Sequence, residues 1–134
     1  MDLSAINYLA VGAAALCTFL VGGVWYSPLL FGKTWAQENQ LTDEALKKGN
    51  PALIFGGSFV LALLMAFNLA AFIGPEADLA FATIAGFAAG FGWVAMAMGI
   101  TYLFERKSLK LFAINAGYHV ITFTLMGAIL GAWR

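Results

Sequence analysis

Long apolar runs alternate with short polar interruptions along this chain, and the runs share one length. Four stretches, at positions 6–26, 51–73, 79–104 and 109–133, are each close to the ~20 residues a helix needs to cross a hydrocarbon core about 30 Å thick. No charged residue interrupts the interior of any of them. In lipid every backbone N–H must be bonded within the segment, so these stretches predict helices. No stretch alternates polar and apolar residues, which argues against a membrane barrel. The predicted fold class is all-α: an integral membrane four-helix bundle. It forms a single domain over 1–134, with four spans and a short helical loop at 27–50.

The punctuation between runs refines this. Tyr8 and the pair Trp25-Tyr26 stand at the two ends of the first run, where amphipathic rings favour the headgroup level. With Trp35 and Trp133 they form the expected interfacial set. Ser27 reads as a cap and Pro28 as the first residue of a surface-lying helix to about Asn39. Leu30, Phe31 and Trp35 would be its apolar side, with Lys33 and Gln37 facing water. Thr42 to Gly49 reads as a small complete helix, with acids in its first turn, bases in its last and a glycine stop. Asn50-Pro51 starts the second span, Gly74 to Asp78 is an acidic turn, and Glu105 to Lys110 is a basic one.

Composition and charge narrow the class. The chain is 62% hydrophobic and 10% charged, against about 25% charged in soluble domains, so it lacks the polar surface to face water on all sides. Its formal net charge is zero, and no nucleic-acid partner is expected. Membrane lipids are the expected surroundings. Lys33, Lys47, Lys48, Arg106, Lys107 and Lys110 all fall in the first and third loops, with only Arg134 at the other end. The positive-inside rule then places those loops in the cytoplasm and both termini outside. Asp2 and no base precede the first run, so it reads as a retained span rather than a cleaved leader.

Small residues recur four apart: Ser58, Ala62, Ala66 and Ala70 in the second span, Gly86 and Gly90 in the third, Gly127 and Gly131 in the fourth. Each set shares a helix face and lets another backbone approach. That partner is either a neighbouring helix of the same chain or a second subunit, with Gly127/Gly131 the first candidate for a homo-oligomer contact. A parallel repeat of two hairpins is also suggested. Gly56, Leu64-Met65 and Leu69 align with Gly117, Leu125-Met126 and Leu130.

Chemistry-bearing residues are few. His119 lies about ten residues into the fourth span, so about 15 Å deep. Asn115 and Thr122 share its face, and Tyr118 flanks it. Trp93 is midway along the third span and Thr18 at similar depth on the first. The sequence therefore predicts a polar layer of His119, Asn115, Trp93, Thr18 and Thr122. It serves either as hydrogen-bonded glue or as a ligand or proton site. Asn68 reads as helix–helix glue, and lone Cys17 as a buried hydrophobe. There is no metal cluster, phosphate loop or nucleophile elbow, so neither enzyme activity nor a cofactor or metal is expected.

The block Gly22-x-x-Trp25-Tyr26-Ser27-Pro28-Leu29-Leu30-Phe31-Gly32-Lys33-x-Trp35, with the looser run Leu103 to Glu105, Asn115 to His119 and Gly131 to Trp133, resembles the bacterial membrane-protein family called domain of unknown function 1761 (DUF1761). The resemblance covers essentially the whole chain and implies a small multi-span protein of the bacterial inner membrane, with no activity, substrate or catalytic residue attached. Two functions stay open. One is a homo-oligomeric channel or transporter for a small solute or ion. The other is a non-transporting module that binds lipid or a partner membrane protein. A continuous polar path favours the first; a plugged bundle with a lateral groove favours the second.

Overall fold

A computed structural model of the chain describes residues 2–133 and is all-α, with no strand among them. The long helices are α1 (Tyr8–Trp25), α4 (Pro51–Ile73), α5 (Leu79–Glu105) and α6 (Leu109–Ala132). All four are long and apolar enough to span a membrane. Two short helices, α2 (Gly32–Glu38) and α3 (Asp43–Lys47), lie between α1 and α4. Arg134, the one base assigned to the far end, lies outside the described residues.

Local chemistry sets the helix starts. Asn7, Asn50, Asp78 and Ser108 each accept hydrogen bonds from backbone N–H groups of the first turn, the donors a helix otherwise leaves unpaired. Pro51 follows Asn50 where its missing N–H costs nothing. Asp2 likewise accepts from the backbone and hydroxyl of Ser4, which holds its carboxyl below the ordinary carboxylate range.

After α1 the outcome differs from expectation. No helix starts at Pro28. The Ser27 hydroxyl turns back to donate to the Val24 carbonyl, at 2.7 Å, and so caps nothing. The Ser27 carbonyl accepts from the N–H of both Leu30 and Gly32, at 3.1 and 2.9 Å, closing a tight turn. Helix α2 begins only at Gly32, where a Cβ would stand 2.3 Å from the Tyr26 carbonyl oxygen. Only glycine fits that approach.

The bundle is built as two hairpins, and α6 is its centre. Its Met126 clusters with Ala10, Val11 and Ala14 of α1, and its Thr122 lines a cleft with Thr18; against α5 it places Gly127 and Gly131. Helix α4 packs mainly on α1, with Ala66 and Leu69 clustering with Ala10, Val11 and Ala14, and touches the second hairpin over only a short patch. Only 17% of its apolar window is buried, against 33% for α6, so α4 is the least enclosed span.

The α5–α6 seam is much closer. A Cβ on Gly86 would lie 2.2 Å from the Phe123 carbonyl oxygen, and one on Gly127 would lie 2.2 Å from that of Ala82. Gly90 lies against Phe123 and His119, and Gly131 against Ala82 and Leu79. All four glycines are thus spent within one chain. Of the two partners the spacing allows, a neighbouring helix of the same chain is the one that meets Gly127 and Gly131, because the antiparallel hairpin brings these faces together. Positions paired by the repeat reading differ in surroundings, since Gly56 meets nothing and Gly117 lies against the Trp25 ring.

One further departure lies in α5. Gly90–Ala95 forms a π-helical turn rather than regular α-helix. Such turns arise as single insertions within helices, and this one sits where Gly90 presses on α6.

Candidate functional site in the bilayer-facing clefts

The residues expected to form one polar layer separate into three places. Thr18, Thr122 and His119 come together, with Tyr118, around a cleft of about 200 Å³ walled by α1, α4 and α6. Ser58, Leu61, Ala62 and Met65 of α4 form its other side. Three of the hydroxyls are already engaged. Thr18 donates to the Ala15 carbonyl at 2.7 Å, Thr122 to the His119 carbonyl at 3.1 Å, and Tyr118 to the Thr18 carbonyl at 2.8 Å. The His119 imidazole differs: its Nδ1 is buried and has no hydrogen-bond partner. Among the described residues the Ser58 hydroxyl has none either. A neutral imidazole carries one donor and one acceptor nitrogen, so this cleft offers an acceptor-donor ring beside a hydroxyl.

Asn115 is elsewhere. Its Oδ1 accepts from the Tyr26 hydroxyl at 2.7 Å and its Nδ2 donates to the Tyr102 hydroxyl at 2.8 Å. One amide therefore ties α1, α5 and α6 together. Trp25 adds to this end by donating its indole N–H to the Ile114 carbonyl at 2.9 Å, and its ring packs on Phe31 at 4.8 Å. Tyr26 in turn meets Tyr118 and Trp35, at 5.3 and 5.8 Å. Trp25 and Tyr26 are half-buried and point into the bundle rather than standing in an outer belt. Trp133 is half-exposed at the opposite end, where its carbonyl accepts from Asn7 at 3.2 Å.

Trp93 is the clearest misplacement in the sequence reading. It is 70% exposed and joins neither group. Depth alone suggested the layer, and depth says nothing about rotation. The Gly90–Ala95 turn breaks the regular helical phase on which a face assignment depends. Asn68, read as interhelical glue, is also exposed and bonded to no described side chain. Both line a second, larger cleft of about 670 Å³ between α4 and α5. Sequence reasoning missed Tyr102 and Ser58 as functional neighbours. Tyr102 could have been found as a polar side chain at the same helix-end level as Tyr26; Ser58 carried no signal beyond its small size.

Between the His119 level and the terminal end the interior is Ala10, Val11, Ala14, Ala66, Leu69, Phe123, Met126 and Leu130. Toward the loop end lie the Trp25 ring, packed on Phe31, and the Tyr26 ring, packed on Tyr118 and Trp35. Among the described residues no group of three or more His, Cys, Asp or Glu side chains is placed to hold a metal ion.

Similarity to known proteins agrees with this picture as far as it goes. A family model described as "Protein of unknown function (DUF1761)" matches residues 9–131. No curated protein and no solved structure matches the chain.

Proposed function

We propose, from the premise that the chain belongs to the DUF1761 family and that this description assigns no activity, that it is a non-transporting membrane module. It binds a small hydrogen-bonding group presented from the bilayer side. The observation that supports this is the pairing of an apolar buried core with the lateral cleft where the buried His119 Nδ1 is unsatisfied. Leaving such an atom unpaired in a low-dielectric site costs about 1–3 kcal/mol, and a ligand group that reaches it recovers that. No bond is made or broken in this role. The module sits in the bacterial inner membrane as a multi-pass protein. Its loop end, with Lys33, Lys47, Lys48, Arg106, Lys107 and Lys110, is in the cytoplasm and both termini are outside. There the bases meet anionic headgroups, worth about 1 kcal/mol each near the surface. The module works within one chain, a reading supported by the packing of Gly86 and Gly90 on the helix that carries Gly127 and Gly131.

The test is flux together with labelling. Proteoliposomes of wild type and of His119→Ala should both show potassium, chloride and proton leak equal to empty vesicles. A lipid-soluble imidazole-modifying reagent should label wild type at His119, and a membrane-impermeant one should not. Protein-dependent flux that His119→Ala abolishes would establish the transport reading instead.

A further inference from the structure

The larger cleft carries a second site, and we propose that it binds an elongated, neutral, carbonyl-bearing compound that dissolves in the bilayer interior. Its walls are apolar: Leu69, Phe72 and Ile73 from α4, Phe81, Ala89 and Val94 from α5. Two polar side chains interrupt them, Asn68 and Trp93, and among the described residues neither side chain has a hydrogen-bond partner. At membrane depth there is no water to serve them, and acyl chains offer no acceptor. Two unpaired groups on opposite walls of one concavity are therefore complementary to something that fills it. The volume, about 670 Å³, is in the range of sites that hold drug-sized molecules, which are mostly apolar with a few placed polar groups.

The chemistry of the walls selects the occupant. No Asp, Glu, Lys, Arg or His lines the cleft, so a charged ligand would be buried without a counter-charge. The indole N–H is a donor only, and the Asn68 amide supplies two donors and one acceptor. Donors predominate, so the ligand must accept; carbonyl oxygens do this while staying uncharged. Depth sets its length and excludes an anchored lipid. At about 1.5 Å per residue, Asn68 lies about 8 Å and Trp93 about 21 Å from the loop joining α4 to α5. The backbones of Asn68 and Trp93 thus differ in level by about 13 Å, and a ligand that meets both side chains reaches near the middle of a membrane about 30 Å thick. Ester carbonyls of a phospholipid are tethered at the headgroup boundary and do not reach Trp93. A freely partitioning molecule such as an alkyl quinone does. This site shares only Met65 with the His119 cleft, so it stands or falls separately from the role proposed above.

Purified protein in micelles of a non-ionic detergent, melted with and without decyl-benzoquinone, tests this. The quinone should raise the wild-type midpoint by several degrees, because a ligand of the native state alone stabilises it. Asn68→Leu and Trp93→Phe should each lose most of that rise, while His119→Leu keeps it. Without ligand, Asn68→Leu should melt no lower than wild type, since the amide has no protein partner to lose. An unchanged wild-type midpoint overturns the proposal. So does an equal rise in the two cleft variants, or an equal rise from a short-chain phosphatidylcholine. Inter-chain disulfide formation by Asn68→Cys in a membrane, with no quinone effect, would show that a second copy fills the cleft and would also overturn it.

Discussion

Adding one methyl group to Gly57, in the first hairpin, would touch nothing within 4 Å, whereas adding it to Gly127, in the second, would place it 2.2 Å from the Ala82 carbonyl oxygen. Each hairpin pairs two long apolar helices, yet the two are held differently. The α5–α6 pair is joined backbone to backbone along Gly86, Gly90, Gly127 and Gly131. The α1–α4 pair is joined through side chains: alanines at its centre and rings at its edges, with Tyr8 on Phe67 at 6.2 Å and Phe19 on Phe59 at 5.7 Å. In lipid no hydrophobic force draws helices together, so close packing decides how firmly they hold. The tight hairpin is a fixed post. The looser one leaves α4 standing off from α5 and α6, and both clefts open along α4 for that reason.

The comparison can be broken most directly at Gly127. Gly127→Ala should force α5 and α6 apart at the cost of overpacking, about 3 kcal/mol or more, seen as a lower unfolding midpoint in micelles. A wild-type midpoint would mean that the two backbones do not meet there. Next is the amide that bridges the hairpins. Asn115→Leu strips the Tyr26 and Tyr102 hydroxyls of their shared partner and should cost about 1–2 kcal/mol. If the double variant with Tyr26→Phe costs no less than the sum of the two singles, the network is not coupled. Trp25→Phe keeps the ring contact with Phe31 but loses the bond to the Ile114 carbonyl, for about 1 kcal/mol. The smallest effect has the opposite sign. Gly57→Ala should stabilise by about 0.5–1 kcal/mol, because the methyl finds open space and the unfolded chain loses freedom. Destabilisation there would show that α4 is more closely packed than its surroundings indicate.

Much of the candidate site was legible before any coordinates. Depth and face group His119, Thr18 and Thr122, and the three line one cleft. Depth follows from counting residues along a helix, and the i, i+3 relation of His119 and Thr122 is a property of that helix alone. Asn115 and Trp93 were misgrouped for two physical reasons. A side chain on an edge of a face can turn to either neighbour, and Asn115 turned to two tyrosines. A π-helical turn resets the angular count, and Trp93 lies inside one. The Trp25-Tyr26-Ser27-Pro28 block illustrates the same limit. Its aromatics mark a helix end correctly, but whether rings at a helix end face lipid or neighbour depends on what another helix places beside them.

The sequence by itself determined the solvent, the number of spans, the starts of the long helices and the gathering of six bases in the first and third loops. Each is a local property: hydrocarbon thickness sets a run length, and a capping side chain acts within its own first turn. Only the tertiary structure decided that the Gly86/Gly90 and Gly127/Gly131 faces meet inside one chain, that α4 stands off, and that Asn68 and Trp93 line one cleft. Those outcomes depend on the rotation and separation of whole helices. In lipid, where apolar surface is equally content on every side, one helix's composition does not fix its rotation; contact with the others does.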